Sequence, residues 1–173
     1  MWRWGEIVIS KPHLIVSACL GSNRCRYDGE MLSCPALADI LCLADVRFVC
    51  PEIAIGLGVP RHPIRLVADG GRVRMMQTVT HRDLTEEMEH FCESFLAALD
   101  PARVDGFILK SRSPSCALSD AKIYAPDMET LVGTGPGLFG AAVLRLFPHT
   151  PAEDESTLGG SKTYRSIIRQ GRK

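Results

Sequence analysis

Three cysteines share one kind of position in this sequence. Cys19 closes the run Leu14-Ile15-Val16-Ser17-Ala18, Cys50 closes Val46-Arg47-Phe48-Val49 just ahead of Pro51, and Cys116 follows Phe107-Ile108-Leu109 by a short loop. Thiolates are soft ligands, suited to zinc or iron–sulfur clusters. No Cys-x-x-Cys pair occurs anywhere in the chain, and the spacings fit no zinc-ribbon pattern. Buried structural cysteines are therefore the alternative to a metal site. The loop that ends in Cys116 reads Lys110-Ser111-Arg112-Ser113-Pro114-Ser115 and concentrates hydroxyls and cations in one short stretch, where Pro114 stops the preceding strand.

The elements that must position these residues are read from periodicity. Residues 13–19, 46–50 and 104–109 are short apolar runs, expected to be strands buried on both faces of a mostly parallel sheet. In such sheets ligands bind in the crevice beyond the carboxyl ends of the strands, where all three cysteines would converge. A helix is expected from about Ser33, with Pro35 in its first turn and Leu37, Ile40, Leu41 and Ala44 as its buried stripe; Cys42 is expected in the neighbouring packing. Residues 51–63 lack both periodicities and are read as a long loop of the functional kind. Asp69-Gly70-Gly71 marks a hairpin between 64–67 and 73–76. The strongest helical pattern spans 83–99, with Leu84, Met88, Phe91, Phe95 and Leu99 on one face, Thr80 or Thr85 as its cap, and Cys92 as a small core residue. Gly133, Gly135 and Gly137 lead into an apolar helix over 138–146, as a plain turn or as an anion site at the helix N-terminus.

The expected fold is thus α/β: a single domain with an open, Rossmann-like, mostly parallel sheet and helices on both faces. Residues 1–12 are read as an N-terminal extension, 13–150 as the domain, and 151–173 as a solvated tail that could carry a docked helix. A chain of 173 residues supports one core of ordinary size. Formal net charge is zero, from 20 basic and 20 acidic residues, so no global field draws the protein to nucleic acid or to an anionic membrane. No apolar run is long enough to span a bilayer. The N-terminal ten residues lack the features of a signal peptide, and seven cysteines cannot all pair within the chain. A reducing, cytoplasmic setting is expected.

Three motifs in order, SAC-x5-CRYDG, VCPE followed by GLGVPRHP, and LKSRSPSC, resemble the bacterial family catalogued as domain of unknown function 523 (DUF523), the thiouracil desulfidase family; the resemblance covers about residues 14–146. It implies an α/β domain holding a 4Fe-4S cluster by only three cysteines, which on this sequence are Cys19, Cys50 and Cys116, with one iron left open. It also implies Glu52 as the acid/base group and Ser113 as the catalytic hydroxyl. The chemistry is coherent, because a thiocarbonyl bound through sulfur loses electron density at carbon and a water positioned by Glu52 can add there. Without the resemblance, Glu52 and Ser113 would read as a solvated loop glutamate and a turn serine. The sequence departs from the family pattern at Leu20-Gly21-Ser22 and at Ala117, where the family has glycine. Cys25 is read as a neighbour of the site, Arg26, Tyr27 and Asp28 as shaping its loop, and Arg61 as bracing the pocket or pairing with an acid.

The expected function is an iron–sulfur-dependent, non-redox desulfidase converting a thiolated pyrimidine to its oxo-base and sulfide. The small thiolated base is preferred over thiolated RNA as the partner. The alternative is a cysteine-ligated iron–sulfur or zinc module that senses redox state or carries sulfur, with Cys25 as a resolving thiol.

Overall fold

Leu14, Ile15 and Val16 give the first strand, β1 (His13–Ser17), no polar face, and the fold covers both of its sides. The computed structural model describes residues 11–21 and 35–160. Trp2, Trp4, Cys25 and its loop, Ser33, Cys34 and the basic C-terminal stretch lie outside the described residues. β1 is flanked in parallel by β2 (Asp45–Val49) and β5 (Gly106–Leu109), and β5 pairs in parallel with β8 (Ala152–Asp154), giving the order β2-β1-β5-β8. Leu14, Val16 and Ile108 turn to one face, where Leu37, Ile40 and Ala44 from and beside α1 (Pro35–Leu43) cover them. Ile15, Phe107 and Leu109 turn to the other, against α3 (Thr85–Ala97) and α4 (Leu138–Leu146), in the alternation a pleated strand imposes. The molecule is accordingly α/β, with helices on both faces of a parallel sheet.

The connection from β1 to β2 carries α1 on one face, whereas the chain from β2 to β5 crosses the opposite face through α3. The strand order therefore switches direction at β1, and the crevice beyond the carboxyl ends of β1, β2 and β5 is the position such folds leave open for a ligand.

A second sheet, not foreseen from the sequence, packs beside the first in the order β4-β3-β6-β7. The hairpin of β3 (Ile64–Asp69) and β4 (Arg72–Gln77) turns through Gly70 and Gly71, whose φ of 58° and 84° suit the tight turn expected there. β6 (Ala121–Tyr124) joins β3 in parallel, and β7 (Leu131–Gly135) pairs antiparallel with β6. The glycines of Leu131–Gly135 thus lie in an edge strand, where the sequence suggested a plain turn or an anion site.

Several local expectations are corrected. β2 is a half-buried edge strand, since only one of its faces packs on the core. Leu41 and Cys42 are exposed, because α1 buries a narrower stripe. Pro51–Ala54 form a short helix, α2, with Pro51 in its first turn and Glu52 near its N-terminus. Neither threonine caps α3: the Asp83 carboxylate accepts the Thr85 N–H at 2.9 Å, leaving Thr85 Oγ1 to accept from Met75 N. Residues 152–154, expected in a solvated tail, complete the parallel sheet, because the backbone of β5 has an open edge there.

Candidate functional site

The three strand ends open into one cavity of about 280 Å³. Its lining includes Cys19, Cys50 and Cys116, together with Glu52 and Ser113. Each is brought there by a separate local device. Cys19 lies in the 3-10 turn Ala18–Leu20 that follows β1, and the turn must pass close to β2: a Cβ on Gly21 would stand 2.5 Å from the Phe48 ring. Cys50 precedes α2, so Glu52 projects from that helix's first turn one step further along the same rim.

The Cys116 loop is held most elaborately. Arg112 takes a left-handed conformation at φ 60°, rare for a residue with a side chain, and its N–H donates to Asp120 Oδ1 at 2.8 Å. Ser111 Oγ donates to the other Asp120 oxygen at 2.8 Å. Burial works against the Asp120 charge, but these two donors, its own backbone N–H and the Arg112 charge together hold the carboxyl below its ordinary value. Ser113 Oγ accepts from the N–H groups of Ser115 and Cys116 at 3.2 and 3.1 Å, fixing the turn before the thiol. The loop then docks on α4. Its carbonyls at Pro114, Ser115 and Ala117 accept from the N–H groups of Leu138, Phe139, Gly140 and Gly137.

The N-terminus of α4 therefore spends its open donors on the Cys116 loop, which excludes the alternative of an anion site. The glycines there serve close approach: a Cβ on Gly137 would stand 2.5 Å from the Ser115 carbonyl, and one on Gly140 2.0 Å from the Ala117 oxygen. Ala117 is buried without positive φ, so alanine is accommodated where the family pattern has glycine.

Glu52 is held at both oxygens. Arg61 Nε donates to Oε2 at 2.8 Å, its Nη2 pairs with the same oxygen, and Ser115 Oγ donates to Oε1 at 2.8 Å. The Arg61 side chain is only 4% exposed, so this pair is shielded from solvent screening. Arg61 thus fulfils the expectation that it would pair with an acid. Sequence reasoning did not single out Ser115 as a partner of Glu52, nor Lys110 as the partner of Glu155 from the β8 end; Glu155 Oε2 also accepts from Ser111 N at 2.8 Å. No spacing signal connects residues so far apart in the chain.

Burial pushes the Cys116 thiol up to about 12; hydrogen bonds with Ser17 and Ser113 pull it back, and the Glu52 and Cys50 charges push it further. Binding a metal here would release that proton, since the thiolate is the ligating form. Among the described residues, no three His, Cys, Asp or Glu side chains are gathered tightly enough to hold a single metal ion. Three thiols line the one cavity, and thiolates are the usual ligands of iron–sulfur clusters. The donor set is compatible with a thiolate-bound iron–sulfur cluster.

Comparison with known proteins gives this geometry a context. The model of the family described as 2-thiouracil desulfurase matches residues 14–155. The chain belongs to the 2-thiouracil desulfurase family. Family similarity extends to the Bacillus subtilis (strain 168) protein YbbK, described as uncharacterized, which is 28% identical over 147 residues, 82% of this chain and 96% of that protein. Among solved structures, the fold resembles the [4Fe-4S]-dependent thiouracil desulfidase TudS (DUF523Vcz) with a TM-score of 0.70 and 27% identity, over 91% of this chain and 99% of that one.

Proposed function

We propose that this protein is an iron–sulfur-dependent, non-redox desulfidase that removes sulfur from a thiolated, thiouracil-like pyrimidine and releases the oxo-base and sulfide. One observation carries the reading: Cys19, Cys50, Cys116, Glu52 and Ser113 line a single cavity in a chain of the 2-thiouracil desulfurase family. Likeness to a [4Fe-4S]-dependent thiouracil desulfidase supports it.

In this proposal Cys19, Cys50 and Cys116 hold a 4Fe-4S cluster that keeps one iron free of protein ligands. When bound, such a cluster supplies a Lewis-acidic iron for the thiocarbonyl sulfur, drawing electron density from the adjacent carbon. Glu52 orients the water that adds to that carbon and accepts its proton at Oε1, while Arg61 occupies Oε2. Ser113, the proposed catalytic hydroxyl, accepts two N–H groups at its oxygen and hydrogen-bonds the Cys116 thiol, which keeps its hydroxyl at the cavity wall beside that thiol. The thiocarbonyl and one water become a carbonyl and hydrogen sulfide. No electrons are transferred overall, and no redox partner is required.

The preferred substrate is the free base rather than thiolated transfer RNA. Balanced charge gives little long-range attraction for a polyanion. Faster single-turnover sulfide release from the RNA at physiological salt would overturn that preference. No helix among the described residues is long and apolar enough to cross a membrane. A cytoplasmic site of action completes the proposal.

The test is iron per chain against turnover, in protein purified without oxygen. Cys19→Ser, Cys50→Ser and Cys116→Ser should lose colour, iron and activity together, whereas Cys34→Ser, Cys42→Ser and Cys92→Ser should retain all three. Glu52→Gln should keep its iron and lose about 100-fold or more in turnover, with a smaller loss for Ser113→Ala. Colourless protein that still desulfurises thiouracil would sink the cluster mechanism. Release that stops at one equivalent of sulfide would identify a carrier instead of an enzyme.

A further inference from the structure

Ser115 is completely buried, is not among the described residues that line the cavity, and yet spends its hydroxyl on Glu52, which is. We propose that Ser115 is a positioning residue which, opposite Arg61, fixes the rotamer of Glu52 so that Oε1 presents its remaining lone pair to the cavity. The inference rests on the functional reading above for its kinetic consequence, but not for its geometry.

Three anchors fix Ser115 itself. Its N–H donates to Ser113 Oγ at 3.2 Å, its carbonyl accepts from Phe139 and Gly140 at 2.8 and 3.1 Å, and its Oγ donates to Glu52 Oε1 at 2.8 Å. The hydroxyl thus hangs from a backbone that α4 immobilises, and it can transmit that fixed position to Glu52. Arg61 acts from the other side: its Nη1 donates to the Gly58 carbonyl at 2.9 Å while Nε holds Oε2. A carboxylate on a short helix would otherwise sample several side-chain rotamers. Donors on both oxygens, mounted on two different segments, leave one orientation. Neither donor has to meet the substrate.

Ser115 also joins the proposed acid/base group to the Cys116 turn, one residue from the thiol. Its function is separable from that of Ser113, whose hydroxyl braces the turn and hydrogen-bonds the Cys116 thiol. Loss of Ser115 Oγ should free Glu52 while leaving the Cys116 turn braced.

The experiment uses the iron-loaded full chain and compares Ser115→Ala, Ser115→Thr, Glu52→Gln and the double variant Glu52→Gln/Ser115→Ala. Ser115→Ala should keep wild-type iron per chain, lose about tenfold in kcat and leave KM unchanged, the signature of a lost orientation and not of lost binding. Ser115→Thr, which retains the hydroxyl, should recover most of that loss. The double variant should be no slower than Glu52→Gln, because a residue that acts through Glu52 has nothing left to position. A further loss in that background, or Ser115→Ala protein short of iron, would make Ser115 a structural residue of the loop and overturn the proposal. A crystal structure of Ser115→Ala supplies the readout that does not depend on turnover: Glu52 should leave its wild-type rotamer, and an unmoved Glu52 would overturn the proposal. Wild-type protein with full iron and no sulfide release would defeat the desulfidase reading, while this crystallographic comparison would still decide the role of Ser115.

Discussion

Cys116 is the most deeply buried of the three cavity thiols, and Cys92 is buried within the α3 packing; burial pushes both up to about 12. The thiolate is the reactive form, so metal-free protein should show both as inert to iodoacetamide at pH 8, whereas exposed Cys42 should label early. Mass spectrometry of the digested protein reads this directly, and early labelling of Cys116 would mean that its turn opens without the metal. The same displacement has a thermodynamic sign. In the unfolded chain these thiols lose their protons near the ordinary value of 9.0, but in the fold they keep them. Their contribution is fully present below pH 9.0 and is lost as pH rises from there toward about 12, which denaturant titrations of metal-free protein would register as falling stability. At this scale the three cysteines stood out in the sequence by their shared place at strand ends, whereas Glu52 and Ser113 were singled out only through the family resemblance, since a lone loop glutamate and a turn serine carry no signal of their own. Arg61 and Ser115 were harder to assign, since their roles arise only when separate segments meet at one carboxylate.

At the level of elements, the Cys116 turn and the N-terminus of α4 form one unit. Gly140→Ala would drive a methyl group to within 2.0 Å of the Ala117 carbonyl oxygen, against backbone that cannot yield cheaply. The expected cost is about 1–3 kcal/mol in urea denaturation, with iron content reduced as the turn shifts. Gly133→Ala is the control: nothing lies within 4 Å of the added carbon, and the residue sits in edge strand β7, so stability should stay the same or rise slightly. Equal effects from the two substitutions would count against docking as the reason for Gly140. Long periodic elements such as α3 and the buried strands β1 and β5 were legible from sequence. The pieces that escaped are short or weakly patterned: four-residue α2 spans barely one turn, and β7 carries two glycines on an edge where most of its residues face water.

For the molecule as a whole, β8 matters beyond its length of three residues, because it delivers Glu155 to Lys110 and Ser111, which line the cavity. That carboxylate pairs with Lys110 and accepts from the Ser111 backbone, with both side chains of the pair about one-fifth exposed. Glu155→Ala should destabilise the protein by about 1–3 kcal/mol, since it strips a buried N–H and a shielded cation of their partner. Glu155→Gln, which keeps an acceptor, should cost less; equal midpoints for the two variants and wild type in thermal melts would show that solvent satisfies both donors. The division of the core between the two faces of β1 was readable from its unbroken apolar run, whereas the second sheet depends on long-range pairing of β3 with β6 that no local pattern announces. One hydrogen bond described earlier bears on how such proteins diverge. The Ala117 carbonyl and Gly137 N–H meet at 2.8 Å and Asp120 holds Ser111 and Arg112, so the chain is pinned to the site on both sides of the β6–β7 hairpin. The turn of that hairpin, residues 125–130, is a detour in the chain: insertions, deletions or a transplanted turn there can reshape the protein's outer wall while the thiol turn and its supporting helix remain fastened together.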